Sequence, residues 1–487
     1  MIIPAATPQS VNQGKPDRRP RRERRQEQLE LRRRQKKLMR KIAPVFLDAE
    51  FSNETVTAFG NSHLLETFKR SLNFKEIIQQ HLSLKKGSNC VYATDEILDY
   101  LTDSCALGHT RFEHTECLRF DPGYKDLKGI NRFPSEKVFR DFLGSFTNEH
   151  LQELCEINRS LIQLRSQWTG PREVWFDIDG TVITIFGEQE GGEVRYNPRY
   201  KGRRSFEMMV CFISETKELL YAELCAPDAT PKSQFRDFLE KAKKILPANY
   251  VLKGVRLDKG FFAEKNINYL ENNLLDYVAK VPLYQNVRTY LERIPEKQWE
   301  NLTETIGITR KKLLLKSWEH DRYIDIRRSK VEKQTNQMTL PDSAFYRYEA
   351  ILSSQLEQPP VSNFTWYDDR GTAEHYIKEI KDGFHADEVS QHQKIRNEAY
   401  AFIKIIAYNL LNFFKSAALP PQERGWQVQT LRRKLINIPA NILGQRGNRR
   451  VKLAPNPYLE NLLPLVKERL REFLWFVANE FEPLRCF

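Results

Sequence analysis

Asp177 and Asp179 stand two residues apart in the run Val174-Trp-Phe-Asp177-Ile-Asp179-Gly-Thr181-Val-Ile-Thr-Ile-Phe186, which is β-branched, aromatic and free of proline. Such a run reads as a buried central strand, and residues two apart on a strand point to the same face. Unpaired carboxylates are costly to bury. A divalent cation would offset that cost, so the pair reads as half of a metal site. The other ligands must come from elsewhere in the chain.

Two later stretches supply candidates. Tyr250 to Leu257 is strand-like and ends at Asp258, just before Lys259-Gly260, and α/β sites form at the carboxyl ends of strands. Further on, Tyr367, Arg370, Glu374 and Lys381 fall within about a 60° stripe of one helix at roughly 100° per residue. That stripe flanks an apolar face of Ala373, Tyr376, Ile377 and Ile380. A polar stripe is ordinarily a solvated, salt-bridged face. This one also offers a carboxylate framed by two cations and a phenol, a set suited to a metal and to DNA phosphate. Cys105, His109, His114 and Cys117 are all residue types that ligate zinc; their spacing is not that of a familiar zinc finger, and cysteine is often simply a small buried residue.

The 487 residues suffice for about three domains, and 40% hydrophobic content with 11% aromatic supports real cores. The net charge of +13 is uneven: residues 1 to 42 hold fourteen Lys/Arg against four acids, which leaves only +3 for the rest. An arginine-rich arm is either a solubilising tail or an attractor of phosphate backbone, and its guanidiniums suit phosphate. Seven cysteines without a C-x-x-C pair, and no apolar leader after Met1, point to a reducing interior and away from secretion, with a cytoplasmic location expected. The most apolar helical run, Phe402 to Phe414, is interrupted by Lys404 and Asn409 and is too short to span a membrane.

These features divide the chain. Residues 1 to 44 form a basic arm, Pro- and polar-rich and disordered to about 20, with Arg21 to Ile42 able to become helical on an acidic partner. Residues 45 to 165 read as a helical domain, from the three-to-four apolar spacing in Leu64 to Leu84, Ala93 to Cys105, Glu136 to Leu143 and Asn148 to Leu164, with Ser135 as an N-cap. DNA binding and simple packing are both open to it. Between 166 and 282 the order is strand, strand (Ser205 to Ser214), strand (Glu218 to Cys225), helix (Lys232 to Ile245), strand (Tyr250 to Leu257), helix (Phe262 to Leu274). The first three read as an antiparallel meander, and the whole order is that of a ribonuclease-H-like α/β core, in which the first and fourth strands lie side by side and bring Asp179 to Asp258. Residues 283 to 365 read as a mainly β insertion domain with strands at Tyr323 to Arg327 and Phe345 to Ser353, 366 to 420 as the second part of the core, and 421 to 487 as a C-terminal helical region.

The Y-x2-R-x3-E-x6-K spacing of Tyr367, Arg370, Glu374 and Lys381 resembles the signature of DDE transposases of the IS-four superfamily of bacterial insertion sequences. Asp179-Gly-Thr181 resembles the first-aspartate motif of that family and Val255-Arg-Leu-Asp258-Lys-Gly-Phe-Phe262 the second, and the insertion before the glutamate helix is where the superfamily carries its own. Gly187-x-Gln189 to Tyr196-Asn-Pro198 and Lys201-Gly-Arg203-Arg204 look most like the IS-thirteen-eighty group. The resemblance covers roughly residues 50 to 480. It implies that Asp179, Asp258 and Glu374 are catalytic and bind two Mg²⁺, with Mn²⁺ able to substitute, and that Tyr367, Arg370 and Lys381 hold DNA phosphates. It also implies double-stranded DNA partners (terminal inverted repeats and target), a homodimer or higher assembly on paired ends, and cut-and-paste strand cleavage and transfer. Related hairpin-forming enzymes use an aromatic of the insertion to receive a flipped base, which singles out Trp299 and Trp318. Asp177 adds a fourth carboxylate that could join the metal site.

Asp177-Ile-Asp179-Gly-Thr181 is also the DxDGT pattern of haloacid-dehalogenase-type phosphatases, with Asp177 as nucleophile. Those enzymes continue from the motif into a parallel sheet with helical crossovers, whereas this strand runs into a meander. A non-catalytic DNA-binding descendant of a transposase is the third alternative.

Overall fold

The computed structural model describes residues 20–42, 53–87, 89–194, 197, 199–225, 230–313, 315, 318–330, 346–444 and 448–481. The expected disordered tract to residue 19, the expected boundary at Pro44, and Tyr196 and Pro198 lie outside the described residues. The chain separates into two units, residues 1–54 and 55–487. In the first, α1 (Arg21–Ile42) is a basic helix whose described side chains are all exposed.

In the second unit α2 (Ser62–Ser71), α3 (Phe74–His81), α4 (Thr94–Leu107), α5 (Glu136–Gly144) and α6 (Asn148–Thr169) follow the helical periodicity read from the sequence. The run Leu64 to Leu84, expected as one helical stretch, is interrupted at Asn73, whose φ of 50° is left-handed backbone that asparagine tolerates. The strands β1 (Arg172–Thr184), β2 (Arg204–Ile213) and β3 (Leu219–Leu224) then form the antiparallel meander. Thr230 caps α7 (Pro231–Ile245), its hydroxyl accepting from the Ser233 N–H at 3.3 Å, with proline in the first turn where a missing N–H costs nothing. β4 (Tyr250–Leu257) returns parallel to β1, and after α8 (Glu264–Asn272) comes β5 (Asp276–Lys280), parallel to β4.

The β-rich stretch contributes β6 (Ile306–Leu313), β7 (Arg322–Lys330) and β8 (Tyr346–Ser353). Its strands lengthen the same sheet: β8 lies antiparallel to β5, with Ile351 opposite Lys280. The sheet order is β3-β2-β1-β4-β5-β8-β7-β6, with two-residue pieces at Glu193–Val194 beside β2 and Glu300–Asn301 beside β6. Then follow α9 (Pro360–Asp368), α10 (Gly371–Phe384), α11 (Lys394–Ala418) and α12 (Pro457–Glu480). The single helix expected over residues 366–381 is two, because the chain turns at Asp369-Arg370, just before Gly371.

Alternation along β1 decides what each face meets. Val174, Phe176 and Ile178 point toward α7 and α8, in a core with Phe235, Phe238, Val255, Leu257 and Ile267. On the opposite face Ile183 joins the large core made by α2 to α6, α11 and α12, where Phe68 meets both Phe413 and Phe473 at 5.1 Å between ring centroids. Trp175 joins a small cluster with Val278, Ile351, Phe364 and Tyr367. Asp177 and Asp179 occupy the strip of β1 between these two apolar areas. α11 is buried nearly all round, as a helix through the middle of a core must be. Its two polar interruptions have partners: Lys404 donates to the His385 carbonyl at 2.6 Å, and Asn409 bonds Asn158 and the Leu219 backbone, tying α11 to α6 and β3. No described helix is long and apolar enough to cross a membrane.

Candidate active site

The register β1·β4 sets Asp177 opposite Arg256 and Ile178 opposite Leu257, so the next positions along are Asp179 and Asp258. Asp258 sits one residue beyond β4 with its backbone still extended, which keeps it on the face of Arg256. The two aspartates of β1 have different surroundings. Asp177 is buried, and Arg256 takes both its oxygens, Nε to Oδ1 at 2.6 Å and Nη2 to Oδ2 at 2.8 Å. Arg256 is itself 1% exposed; it also donates to Ser214 Oγ and, through Nη1, to the Trp366 carbonyl at 2.8 Å, while its guanidinium lies over the Trp366 ring. Both oxygens of Asp177 are therefore committed to an arginine, and the pair is a neutral brace between β1, β4 and the end of α9.

Asp179 is half-buried. The Gly180 N–H donates to its Oδ1 at 2.8 Å, and Arg370 Nη2 lies 3.0 Å from its Oδ2. Burial pushes this carboxyl above its ordinary range; Arg370 opposes the shift, and the nearby carboxylates of Asp258 and Glu374 add to it. Arg370 occupies the turn between α9 and α10, is 5% exposed, and has a buried Nε with no hydrogen-bond partner. Burial works against its charge, but Asp179, Tyr367 and Asp258 hold it protonated. Burial raises the Tyr367 phenol, with Asp258 and Asp179 adding to the rise and Arg370 opposing it. Glu374 lies exposed in the first turn of α10. Lys381, two turns on, is half-buried; burial lowers its pKa and Arg199 adds to this, while Asp387 and Asp179 pull the other way. Across the break between α9 and α10, Tyr367, Arg370, Glu374 and Lys381 all interact electrostatically with Asp179, in the middle of β1.

Three carboxylates face one guanidinium there, with one lysine at the margin. Asp179 and Asp258 are half-buried and Glu374 is exposed; carboxylate oxygens are the donors that a hard divalent cation takes, and these three residues would hold it, though their oxygens are not all within 4.8 Å of one another. The buried Arg370 Nε has no hydrogen-bond partner, a cost carried within this group.

A second carboxylate group lies among the N-terminal helices. Glu66, Asp99 and Asp103 present oxygens all within 4.8 Å of one another, the one such group found among the described residues. Two buried lysines already fill it. Lys128 Nζ is 2.7 Å from Asp99, 2.5 Å from Asp103 and 3.0 Å from Glu66, and Lys69 contacts Asp99 and Asp103. Burial opposes ionisation of Asp99, but Lys128 and Lys69 outweigh it and hold the carboxyl well below its usual range.

Other expectations fare differently. Cys105, His109, His114 and Cys117 do not come together as a metal-binding group among the described residues: Cys105 is buried beside the Tyr400 hydroxyl, Cys117 is exposed, and His109 packs edge-on against Phe59. The phosphatase alternative fails on two counts, since β1 continues into an antiparallel hairpin and Asp177 has no free oxygen for attack. Trp299 is buried under Arg328 and donates to the Ile294 carbonyl at 3.4 Å; Trp318 stacks on Phe262, with Arg322 near its ring. Sequence reading missed Arg256, although its position two before Asp258 in a strand was the signal that it shares the site's face.

Residues 42–474 match the family described as Transposase DDE domain group 1. No curated protein matches the chain. Among solved structures, a cryo-EM structure of the piggyBac transposase synaptic complex with hairpin DNA aligns over 90% of this chain and 89% of that one, with 12% sequence identity and a TM-score of 0.41.

Proposed function

The chain belongs to the transposase DDE domain family, and from that premise we propose that it is the transposase of a bacterial insertion sequence of the IS-four superfamily, in the IS-thirteen-eighty group. It binds the element's terminal inverted repeats and carries out Mg²⁺-dependent strand cleavage and transfer. The observation that carries this reading is the Asp179–Arg370 pair on β1, with Asp258 just past β4 and Glu374 in the first turn of α10 both acting electrostatically on Asp179. The sheet order β3-β2-β1-β4-β5, with β1, β4 and β5 parallel, supports a ribonuclease-H-like core.

In this reading the three carboxylates hold two Mg²⁺, for which Mn²⁺ can substitute. When bound, the ions supply Lewis-acid stabilisation of the attacking and leaving oxygens in an in-line displacement at phosphorus. The chain's own residues place the phosphate. Arg370, anchored on Asp179, supplies guanidinium charge to the phosphate, Lys381 adds a second cation, and Tyr367 offers a phenol that stays protonated. The Asp177–Arg256 brace fixes the end of α9 that carries Tyr367. The basic helix α1 supplies sequence-independent attraction to the duplex, the helical region over 45–165 contributes to end binding, and the enzyme works as a dimer or larger assembly on paired ends in the bacterial cytoplasm.

The test is a cleavage assay on labelled linear DNA carrying the element's own ends, with Mg²⁺ and with chelator. Metal-dependent nicking at the repeat boundary is expected; binding without any cleavage under conditions of proven folding overturns the reading. With the same DNA, removing residues 1–42 weakens binding and flattens its salt dependence, since log affinity falls with log salt by roughly 0.9 per phosphate neutralised.

A further inference from the structure

Two buried cations that the cleavage chemistry leaves unused sit at the C-terminus of α10, the helix that carries Glu374 in its first turn. Lys404 holds the carbonyl of His385, the residue just past the helix, and Arg432 holds that of Gly383. Arg432 is 7% exposed, and its described hydrogen bonds all go to backbone carbonyls: Nη1 to Gly383 at 2.7 Å, Nε to Ala106 at 2.8 Å and Nη2 to Cys105 at 2.7 Å. Ala106 and Cys105 belong to the last turn of α4. The last four carbonyls of a helix have no partner within it, and each helix C-terminus carries roughly half a negative charge. One guanidinium therefore caps two helices at once, and the two termini together offset its buried charge. Burial draws its pKa down to about 10, with Cys105 and Glu379 opposing, so it stays protonated at neutral pH.

The surroundings are shaped to this planar fork. Gly108 ends α4 with a φ of 101°, left-handed backbone that glycine adopts freely, and the Arg432 side chain lies 3.5 Å from where a Cβ would stand. The buried Phe384 ring lies under the guanidinium at 4.7 Å. Arg432 opens a single π-helical turn, Arg432–Ile436, of the kind that recurs at functional positions. The turn before it, Val428–Leu431, also grips α10: the Val428 N–H donates to the Glu379 carboxylate, and Gln429 Nε2 to the Asp382 carbonyl at 3.2 Å. Gly383 lies nine residues beyond Glu374, about 13 Å along the axis at roughly 1.5 Å per residue. A helix moves as a rod, so what grips its last turns also sets where its first turn stands.

We propose that Arg432 is a positioning residue for Glu374: by capping α4 and α10 together it fixes α10 along its axis against the N-terminal helices, and so sets how closely Glu374 approaches a cation held with Asp179 and Asp258. The inference rests on the reading of those three carboxylates as a metal site. A misplacement of about 1 Å at such a group can cost about a hundred-fold in rate. By linkage the effect runs both ways, and a cation that draws on Glu374 tightens the grip at the far end of α10.

The probe is Mn²⁺, titrated by calorimetry into the full chain without DNA. Arg432→Lys keeps the buried charge but gives up the fork that spans two helices, and is expected to weaken Mn²⁺ binding by about ten-fold, the size of a lost outer support. Asn437→Ala removes only the bond from Asn437 Nδ2 to the Leu107 carbonyl of α4, at 2.9 Å; it should lower the melting temperature and leave Mn²⁺ affinity unchanged. Strand cleavage by Arg432→Lys should recover largely as Mn²⁺ is raised, a defect in metal affinity rather than in the rate at saturation. Unchanged Mn²⁺ affinity in Arg432→Lys, or an equal loss in Asn437→Ala, would overturn the positioning role. Should Arg432→Lys not fold, amide hydrogen exchange of the unaltered chain decides: Mn²⁺ is expected to slow exchange in the last turn of α10 and over 428–436, and no slowing there would overturn it too. Failure of the unaltered chain to bind Mn²⁺, or binding that Glu374→Gln leaves unweakened, would instead remove the reading beneath.

Discussion

Glu66, Asp99 and Asp103 crowd together more tightly than Asp179, Asp258 and Glu374, yet the tighter group is the weaker candidate for a metal. Two buried lysines sit among its oxygens and Tyr124 donates to Asp103, so its charge is nearly balanced within the protein. Around Asp179 in β1 and Asp258 just past β4 the same number of carboxylates has one arginine; burial leaves Asp179 reluctant to ionise, as it does Asp103 of the tighter group. Proximity of acids is therefore a poor sign of metal binding by itself. What separates structure from chemistry here is whether the protein supplies the compensating charge.

The comparison is most easily broken at the carboxylates themselves. Asp179→Asn, Asp258→Asn and Glu374→Gln are each expected to lower strand cleavage by on the order of a thousand-fold or more, since several kcal/mol of transition-state stabilisation is lost at about 1.4 kcal/mol per factor of ten. End binding should be nearly retained by all three and thermal stability by Asp258→Asn and Glu374→Gln, whereas Asp179→Asn also takes the partner from the buried Arg370 and should lower stability. Retained cleavage by any of the three in a gel assay would place the chemistry elsewhere.

Next in size, Lys128→Met leaves two buried carboxylates and the half-buried Glu66 with one lysine and should cost about 3–5 kcal/mol of stability. Urea unfolding measures this; a loss under about 1 kcal/mol would mean that the lysines do not balance that group. Smaller again is Asp177→Asn, which loosens the Arg256 brace without touching the proposed ligands. A drop in cleavage of roughly 10- to 100-fold is expected, with unchanged phosphomonoester turnover, and complete loss would make Asp177 a participant in the chemistry.

The smallest effect sharpens the contrast at a paired surface acid. Burial opposes ionisation of Glu349, but Lys280 and Arg327 outweigh it and draw its pKa down to about 2. A carboxyl lowered in the folded state stabilises the fold above its unfolded pKa, and that stability is lost as pH falls from about 4.5 toward 2. Partial exposure screens the pair, so the contribution is about 1–2 kcal/mol. Glu349→Gln should flatten the acid limb of stability against pH, and an unaltered limb would show that the pair contributes nothing.

Much of this was legible in the chain. The period-two pattern around Asp179, the strand ending at Asp258 and the spacing of Tyr367, Arg370, Glu374 and Lys381 are local signals, and local signals survive without tertiary knowledge. The turn at Asp369-Arg370 was not read, although Gly371 marked it, because the same spacing satisfies an unbroken helix. That β8 joins β5 was hidden for a different reason: alternation identifies a strand but not the edge it pairs with. The lysine-filled group was equally hidden, since Asp99 and Asp103 lie on α4 while Lys128 comes from beyond Gly108 in sequence, and nothing local pairs them.

The placement of the site across β1, β4 and α10 also has a consequence in time. Glu374 follows Asp179 by 195 positions, and at about 5–20 residues per second a ribosome needs roughly 10–40 s to add them. After Asp258 the growing chain carries its basic arm, its N-terminal helices and two of its acids, so on the proposed reading the arm can attract DNA before the site is complete. A polypeptide truncated ahead of α10 would also lack α11 and α12, so its N-terminal helices would have no core to close and it would keep the basic arm alone of what the proposed function uses.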